Sequence, residues 1–267
     1  MDAELVRRGL APSRQRAQQQ IAAGRVTVGG APATKAARLV APDDPLVVLG
    51  PPPRFVGRGG EKLEAAMKRF AVDADGVRAF DLGASTGGFT DCLLQRGVAS
   101  VVAVDVGYGQ LHERLRADPR VEVRERTNVR DLAPGDLGAP ADLLVADLSF
   151  ISLRTVLPAA IPLGRRGADL VLLVKPQFEA GREEAARGRG VIADPAIWRR
   201  VLEEVADALL GLETAIMGAM ASPLTGADGN VEFLVHAVTG SSARAAVDVG
   251  VSDLLVAALR EALERRS

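Results

Sequence analysis

The chain has 267 residues, of which 48% are hydrophobic, 25% charged and 3% aromatic, which excludes a wholly disordered protein and leaves enough apolar material for a core. The net charge of −1 hides an uneven distribution, because residues 1–60 hold nine basic and four acidic residues (+5) and the remainder carries −6. The single cysteine, Cys92, excludes an intramolecular disulfide and a cysteine-based zinc site, and we expect no metal requirement.

Nothing in the sequence is typical of an exported or membrane-spanning protein. Asp2 and Glu4 stand where a signal peptide carries basic residues, and no apolar run follows them. No segment approaches the roughly 20 apolar residues that a membrane helix needs. We therefore expect a soluble, cytoplasmic protein without a membrane partner, and the sequence does not predict its oligomeric state.

The first 50 residues predict a small α+β domain. Helices are expected over residues 3–10 and 13–24, with Ser13 as the cap of the second and Gly24 as its end. Short strands are expected at Arg25–Val28 and Leu46–Leu49. A proline-rich stretch follows, so we place the first domain, a linker and a second domain at residues 1–50, 51–60 and 61–267.

Beyond the linker, short apolar strands alternate with helices, which is typical of a mostly parallel sheet with helices on both faces. The predicted strands are Val77–Leu82, Val101–Val106, Val121–Arg124, Leu143–Asp147 and Leu170–Lys175. The predicted helices are Glu61–Ala71, Gly88–Arg96, Leu111–Arg116 and Ala196–Leu210. Two final strands, Thr214–Ala221 and Val231–Thr239, leave no room for a crossover helix and must be antiparallel. This α/β order with an antiparallel last strand is that of the Rossmann-like class I methyltransferase fold.

A glycine-rich turn between the first of these strands and its helix predicts a cofactor site. Glycine lets the backbone approach a ligand, and the free N–H groups of a helix start favour a negative group. Asp105 ends the next strand, where an acid can accept hydrogen bonds from two ribose hydroxyls. The turn has neither the dinucleotide spacing nor a phosphate-loop signature, so S-adenosylmethionine is favoured over NAD or ATP. An ordinary tight turn is the alternative.

The residues assigned to this cofactor site follow the first four strands. They are Asp81, Gly83, Ala84, Ser85, Thr86, Gly87, Gly88, Asp105, Val106, Asn128 and Asp147. Asn128 stands where a polar side chain would bind adenine, and a simple turn residue is nearly as good an interpretation of it.

Four charged residues predict a catalytic site at the same edge of the sheet. Asp147 and Lys175 end two apolar strands, Glu232 begins the last strand, and Lys62 stands at the entry to the second domain. A hydroxyl becomes a good methyl acceptor only when its proton is removed. A lysine removes that proton only in its neutral form, which a neighbouring cation favours and neighbouring carboxylates oppose. The sequence leaves this balance open, and a surface salt bridge is the alternative for any one pair.

Other methyl acceptors fit the sequence less well. Methylation of an adenine amino group usually shows D/N-P-P-Y/F after the fourth strand, where this chain has Asp147-Leu148-Ser149-Phe150. Methylation of a pyrimidine carbon needs a late cysteine nucleophile, whereas Cys92 stands on the helix after the first strand of the second domain, where a small core residue is expected. An oxygen acceptor is therefore predicted.

The four charged residues resemble the K-D-K-E set of FtsJ-type ribose 2′-O-methyltransferases. The surrounding segments are similar to the hemolysin A (TlyA) family over Asp81–Thr90, Asp105–Leu111, Ala146–Ser152 and Lys175–Glu179. The first domain is similar to an S4 RNA-binding domain over Leu5–Arg14 and Ile21–Val26. Arg54-Phe55-Val56 departs from the R-x-W-V linker of some members because it lacks the tryptophan.

This resemblance implies methyl transfer from S-adenosylmethionine to cytidine 2′-hydroxyls of ribosomal RNA, in 23S RNA and, as an open second target, 16S RNA. It implies that Lys175 is the base and that Lys62, Asp147 and Glu232 are its partners. The cofactor ligands that it implies are Gly83, Ser85, Gly87 and Asp105. Ribosomal RNA or ribosomal subunits are the expected partners.

The basic first domain is expected to contact RNA phosphates, which supply affinity without sequence information. The predicted RNA-binding residues are Arg7, Arg8, Arg14, Arg16, Arg25 and Arg58. A solvated charged helix face is the alternative. The segment Gly181–Ile192, rich in glycine and arginine, is interpreted equally as a mobile strip that closes on RNA and as a plain surface loop.

Three other functions stay open at this point. They are a cofactor-binding RNA module without catalysis, a pore-forming hemolysin, and an O-methyltransferase for another RNA or a small molecule. The intact charged set argues against the first and the missing membrane segment against the second. Because the fold alone does not fix the substrate, only the S4-like domain argues against a small-molecule substrate.

Overall fold

A computed structural model describes residues 1–11, 14–51, 53–226, 228–240 and 250–265, without the side chains of residues 15, 16, 19 and 182. The expected cap Ser13 and the side chain of Arg16 therefore lie outside the described residues. The chain forms two compact units, Met1–Arg54 and Phe55–Ser267. The second unit thus begins inside the segment 51–60 that the sequence assigns to a linker.

The first unit packs two short helices on a three-stranded antiparallel sheet of order β2-β1-β3. Its elements are α1 (Asp2–Arg7), α2 (Arg14–Ala22), β1 (Val26–Val28), β2 (Ala31–Pro32) and β3 (Leu46–Val48). Leu5, Ile21 and Val26 are buried between the layers. The first helix is shorter than predicted, because Gly9 adopts a φ of +69°, which a right-handed helix does not allow.

The second unit is built on a seven-stranded sheet. Its strands are β4 (Arg78–Leu82), β5 (Ser100–Val104), β6 (Val121–Arg124), β7 (Ala141–Ala146), β8 (Gly164–Val174), β9 (Thr214–Ala221) and β10 (Phe233–Thr239). Its helices are α3 (Gly59–Phe70), α4 (Gly88–Gln95), α5 (Glu113–Arg116), α6 (Leu153–Ala160), α7 (Pro176–Glu179), α8 (Arg182–Arg187), α9 (Pro195–Gly211) and α10 (Val251–Glu264). Single 3₁₀ turns cover Val129–Asp131 and Ile161–Leu163.

The strand order is β6-β5-β4-β7-β8-β10-β9. Neighbouring strands from β6 to β8 are parallel, and β10 runs antiparallel to both β8 and β9. This confirms the predicted Rossmann-like sheet with its antiparallel last strand. The order reverses at β4, and a crevice opens at such a point beyond the carboxyl ends of the strands.

Two apolar clusters cover the two faces of the sheet. Side chains such as Phe80 and Leu82 pack with α6, α9 and α10, and the alternate residues, such as Ala79 and Val145, pack with α3 and α4. Both faces are therefore covered, as expected for parallel strands such as β5, whose residues are almost all apolar. Among the described residues, no helix combines the length and apolar character needed to cross a membrane.

Helix α8 corrects the prediction of a plain loop or mobile strip at Gly181–Ile192. Glu183 and Glu184 stand in the first turn of α8 and Arg187 in its last turn. These charges complement the helix dipole, which favours acids at the start and bases at the end of a helix. The glycines and arginines of this segment predicted a loop, but the segment contains a short helix.

Candidate active site

The carboxyl ends of the central strands open onto a cavity of about 550 Å³. A smaller recess of about 100 Å³ shares part of this wall. Predicted cofactor residues line the larger cavity, namely Gly83, Ser85, Asp105, Val106, Asn128 and Asp147. Further ones line the recess, namely Ala84, Thr86 and Gly88, together with Arg58 of the predicted RNA-binding set. Gly87 and Asp81 belong to neither wall.

The glycine-rich turn after β4 is pressed against the end of β7. Gly83 has a φ of +88°, and a Cβ atom there would lie 2.7 Å from the carbonyl oxygen of Asp147. A Cβ atom at Gly87, whose φ is +97°, would lie 2.2 Å from a methyl group of Leu115. Both positions therefore require glycine, because a larger residue would clash with the end of β7 at Gly83 and with Leu115 at Gly87.

Asp105 is fixed by two backbone groups of the cavity wall. Its Oδ2 accepts a hydrogen bond from the Ser85 N–H at 2.7 Å, and its Oδ1 accepts one from the Gly107 N–H at 2.7 Å. A carboxylate oxygen has two acceptor sites, so each oxygen keeps one for a ligand hydroxyl. The carboxylate is thus oriented before any ligand arrives.

Asn128 caps the 3₁₀ turn that follows β6. Its side-chain oxygen accepts hydrogen bonds from the backbone N–H of Arg130 at 3.1 Å and from Arg130 Nε at 3.3 Å. Asn128 therefore stabilises the turn, as the turn interpretation predicts, and it also lines the larger cavity.

Asp81 lies beneath the cavity and is completely buried. Burial raises the pKa of Asp81 to about 7, the hydroxyl of Thr90 opposes that rise by donating to Oδ2 at 2.6 Å, and the charge of Asp147 adds to it. Within the described part of the chain, Asp81 Oδ1 has no hydrogen-bond partner. Asp81 thus joins β4 to α4 through Thr90 and has an unusual affinity for a proton.

The four charged residues of the predicted catalytic set form two ion pairs. Lys62 on α3 pairs with Glu232 ahead of β10, and both side chains are buried. Lys175 Nζ lies 2.6 Å from Asp147 Oδ1, in charge contact without hydrogen-bond geometry, and donates a hydrogen bond to Ser149 Oγ at 2.9 Å. Each lysine therefore faces its own carboxylate.

The strand register brings the two pairs together. Phe233 of β10 is paired with Val174 of β8, so Glu232 and Lys175 are the next residues on facing strand ends. At the start of α3, a Cβ atom on Gly59 would lie 3.5 Å from Asp147 Oδ2. Residues far apart in sequence thus converge at one edge of the sheet.

Two phenylalanines beside Lys175 were not predicted as site residues. Phe150 is 92% exposed, has a φ of +65°, and its ring centre lies 5.3 Å from that of Phe178. Lys175 Nζ lies 5.8 Å from the centre of the Phe178 ring. Both residues stand in segments quoted for the family resemblance, but their apolar character alone predicts burial. The exposed ring of Phe150, beside the half-buried Phe178 and a charged pair, offers a face on which a planar group can stack.

Glu179 ties the loop after β7 to the helix after β8. This buried carboxylate accepts hydrogen bonds from the hydroxyl of Ser152 and, at 2.6 Å, from the N–H of Leu153. Arg154 donates to the backbone oxygen of Glu179 at 2.9 Å. The segments that carry Phe150 and Lys175 are therefore joined by one side chain.

The predicted RNA-binding arginines of the first unit differ in what they contact. Arg8 donates to Glu4 and to three backbone carbonyls of residues 41–44, and Arg25 donates to the carbonyls of Leu49 and Pro51. These two arginines hold the first unit together.

Arg7 and Arg14 pair with acids but keep side chains that are 65% and 69% exposed. Hydrogen bonds from Arg7 and Arg8 lower the pKa of Glu4 to about 2. Arg7 and Arg14 are therefore the members of the predicted set in this unit whose described side chains are most accessible to a phosphate.

Among the described residues, no group of three or more acidic, histidine or cysteine side chains is placed to hold a metal ion.

Family models match nearly the whole chain. The model of the FtsJ-like methyltransferase matches residues 55–239, and the model of the S4 domain matches residues 2–46. These matches confirm the resemblance drawn from the sequence motifs.

Named relatives match over similar lengths. A Mycobacterium tuberculosis protein named 16S/23S rRNA (cytidine-2′-O)-methyltransferase TlyA is 50% identical over 262 residues, 98% of this chain and 97% of the relative. A Brachyspira hyodysenteriae protein named Hemolysin A is 36% identical over 85% of this chain and 95% of the relative. A solved structure from Streptococcus thermophilus, which carries a provisional hemolysin name, is 36% identical with a TM-score of 0.78 and covers 99% of this chain and 97% of its own.

Proposed function

This chain belongs to the FtsJ-like methyltransferase family, and from that premise we propose that it transfers a methyl group from S-adenosylmethionine to the ribose 2′-hydroxyl of a cytidine in ribosomal RNA. The observation that carries the proposal is the convergence of two lysine–carboxylate pairs, Lys175–Asp147 and Lys62–Glu232, beside a cavity of cofactor size. The S4 domain and the name of the Mycobacterium tuberculosis relative support RNA as the substrate. A ribosomal substrate implies a cytoplasmic location.

The cavity fits S-adenosylmethionine in size and chemistry. Its volume of about 550 Å³ is typical of sites for small organic molecules. Asp105 keeps acceptor sites for the ribose hydroxyls, Asn128 borders the same cavity as a polar neighbour for adenine, and the turn at 83–88 offers backbone N–H groups to the carboxylate. When bound, the cofactor supplies a methyl group on a positively charged sulfur. Asp81, which lines neither cavity, is not proposed to touch the cofactor.

Lys175 is the proposed base. In its neutral form, Nζ would accept the proton of the 2′-hydroxyl as that oxygen bonds to the methyl carbon and the bond from this carbon to the cofactor sulfur breaks, which leaves the sulfur as a neutral thioether. The resulting ammonium is stabilised by Asp147 at 2.6 Å and by the Ser149 hydroxyl at 2.9 Å. Because the side chain of Asp147 is 24% exposed, water can take the proton away from this pair after the transfer.

Lys62 and Glu232 are proposed to position the base. Glu232 faces Lys175 across the ends of β10 and β8, and Lys62 neutralises its buried charge. Without Lys62, the carboxylate would be buried without a partner, which is costly. Phe150, Arg58 and the exposed Arg7 and Arg14 are the proposed contacts to RNA.

The test is transfer of tritiated methyl groups from S-adenosylmethionine to isolated 30S and 50S subunits from an unmodified strain. Primer extension at low dNTP concentration maps the 2′-O-methylated nucleotide. We expect label at a cytidine of the 50S subunit, and the 30S sample decides whether 16S RNA is a second target. Absence of label in both subunits, with cofactor binding verified by calorimetry, would contradict the proposal.

A further inference from the structure

Two exposed side chains at the rim of the cavity have no part in the chemistry described above. Tyr108, in the loop after β5, is 69% exposed. The guanidinium carbon of Arg126, after β6, lies 4.3 Å from the centre of the Tyr108 ring. An arginine stacked on an aromatic ring is favourable in itself, but here much of the flat surface still faces water. We call Tyr108 and Arg126 the stacking platform.

Hydrogen bonds between the two loops hold the platform in place. The N–H of Arg126 donates to the carbonyl of Gly107 at 3.0 Å, and the N–H of Gly109 donates to a carboxylate oxygen of Glu125 at 2.9 Å. Arg126 also has a φ of +53°, a left-handed conformation that costs a non-glycine residue free energy. Side chains that are fixed in advance lose less conformational entropy when they bind a partner.

The charges around the platform leave Arg126 available. Arg124 pairs with Glu122, and Arg116 pairs with Glu125. Over the residues that the structure describes, no carboxylate forms an ion pair with Arg126. A lone anion needs no aromatic ring, and an apolar peptide needs no cation. A nucleotide offers both a phosphate for the guanidinium and a base for the ring.

The platform adjoins the cofactor cavity, because Gly107 and Thr127 of the same two loops line it. In the sheet order, β5 lies three strands from β8, whose end carries Lys175. At the usual strand spacing this separation is about 15 Å, which is more than one nucleotide can span. We infer that the platform binds a nucleotide of the RNA substrate that lies a few positions along the RNA from the methylated cytidine. The inference rests on the proposed function and adds a second point of contact for the same RNA.

Two variants test the platform. Tyr108→Ala should raise the KM for ribosomal subunits at least about fivefold, as expected when a base loses an aromatic stacking partner, whereas Tyr108→Phe should keep the wild-type KM. Arg126→Gln should lower the slope of log affinity against log salt by about 0.7, the value for one phosphate contact on a single strand. Neither variant should change the Kd of S-adenosylmethionine or kcat at saturating RNA.

Arg124→Gln is the matched control, because Arg124 is exposed, stands two residues away and already pairs with Glu122. It should leave KM, salt slope and cofactor affinity unchanged. Wild-type KM and salt slope in both platform variants would overturn the inference. Weaker cofactor binding with an unchanged KM would also overturn it and assign the platform to the cofactor.

Binding of labelled ribosomal RNA without cofactor separates this inference from the proposed function. If the wild-type protein methylates no ribosomal RNA but Tyr108→Ala still weakens RNA binding, the proposed reaction fails and the platform stands. If methylation proceeds and RNA binding is the same in Tyr108→Ala and wild type, the platform fails and the reaction stands.

Discussion

The two ion pairs at the edge of the sheet use the same chemical groups but differ in their access to water. The side chains of Lys62 and Glu232 are 8% and 3% exposed, whereas those of Lys175 and Asp147 are 11% and 24% exposed. A pair closed to water can hold two elements together but has no route for a proton. The more open pair can release a proton to solvent, which supports the assignment of the base to Lys175 that the family resemblance implies. Residue types alone do not distinguish the two roles.

The sharpest test of this difference is removal of the amine from the open pair. Lys175→Met should lower the single-turnover rate of methyl transfer by about 10²–10⁴-fold, the usual contribution of a general base. Cofactor affinity measured by calorimetry should stay at the wild-type value, because Lys175 does not line the cavity. A rate within tenfold of wild type would mean that the proton is taken by another group.

Removal of the amine from the closed pair should act on stability. Lys62→Met leaves the Glu232 carboxylate buried without a partner, which costs about 3–5 kcal/mol of unfolding free energy in urea denaturation. Adding Glu232→Gln removes the second charge and should recover a large part of that loss.

Lys68→Met is the control for this experiment, since Lys68 stands on the same helix but is 67% exposed in its pair with Glu64. Glu64 is buried but keeps its pair with Arg96 at 2.9 Å, so loss of the exposed Lys68 amine should cost about 1 kcal/mol or less. If Lys62→Met destabilises no more than Lys68→Met, the closed pair does not have the structural role given to it here.

Asp81 is a third acid to compare, and it is completely buried and has no lysine among the groups that shift its pKa, whereas Glu232 and Asp147 each pair with a lysine. Burial raises its pKa to about 7, so the folded protein keeps a proton that the unfolded chain releases near its ordinary value of 3.8. The free energy of unfolding should therefore fall as the pH rises from about 4 to about 7. Asp81→Asn should remove this fall and exceed wild-type stability by about 2–4 kcal/mol at pH 8, with no gain near pH 4.

Urea denaturation of wild type and Asp81→Asn at pH 5 and pH 8 measures this difference. Because asparagine keeps a side-chain oxygen for the Thr90 hydroxyl, the contact at 2.6 Å is preserved in the variant. Parallel pH profiles for the two proteins would show that Asp81 is ionised throughout and that its charge is accommodated.

Most strands of the second unit were predictable because they are apolar runs of suitable length, and β6 because its two valines alternate with charged residues. The bounds of β6 and β9 agree with prediction residue for residue, and most others agree within two. Strand β8 is the exception, since it begins at Gly164 rather than Leu170. Its first residues are polar and glycine-rich and are held by β10, where Thr239 accepts a hydrogen bond from the N–H of Ala168 at 2.9 Å. Such a tertiary contact leaves no pattern in the local sequence.

Two helices that we did not predict from the sequence, α6 and α10, lack clear local helix signals. Helix α6 is short and contains Pro158, which normally argues against a helix interior. Helix α10 is stabilised by packing on β9 and α9, and its preceding residues give no strong start signal. Local propensity was therefore a poor guide where tertiary packing decides.

Parts of the candidate site were predictable for a different reason. Glycine at position 83 indicates a backbone conformation that other residues rarely adopt. Asp105 follows an apolar strand, so its place at the edge of the sheet could be predicted. In contrast, the pairing of Lys62 with Glu232 joins residues 170 positions apart. The backbone carbonyls that accept hydrogen bonds from Arg8 and Arg25 also could not be predicted from the sequence. Partners across the fold follow only from the register of strands and the packing of helices.

The carboxylate of Glu179 couples two segments of the candidate site that are distant in the sequence. Ser152 and Glu179 are 27 positions apart, yet their hydrogen bond fixes the loop that presents Phe150 relative to the strand end that presents Lys175. An insertion in either segment would shift one of these side chains against the other. A change of length in one segment would therefore have to be matched in the other to keep Phe150 and Lys175 side by side.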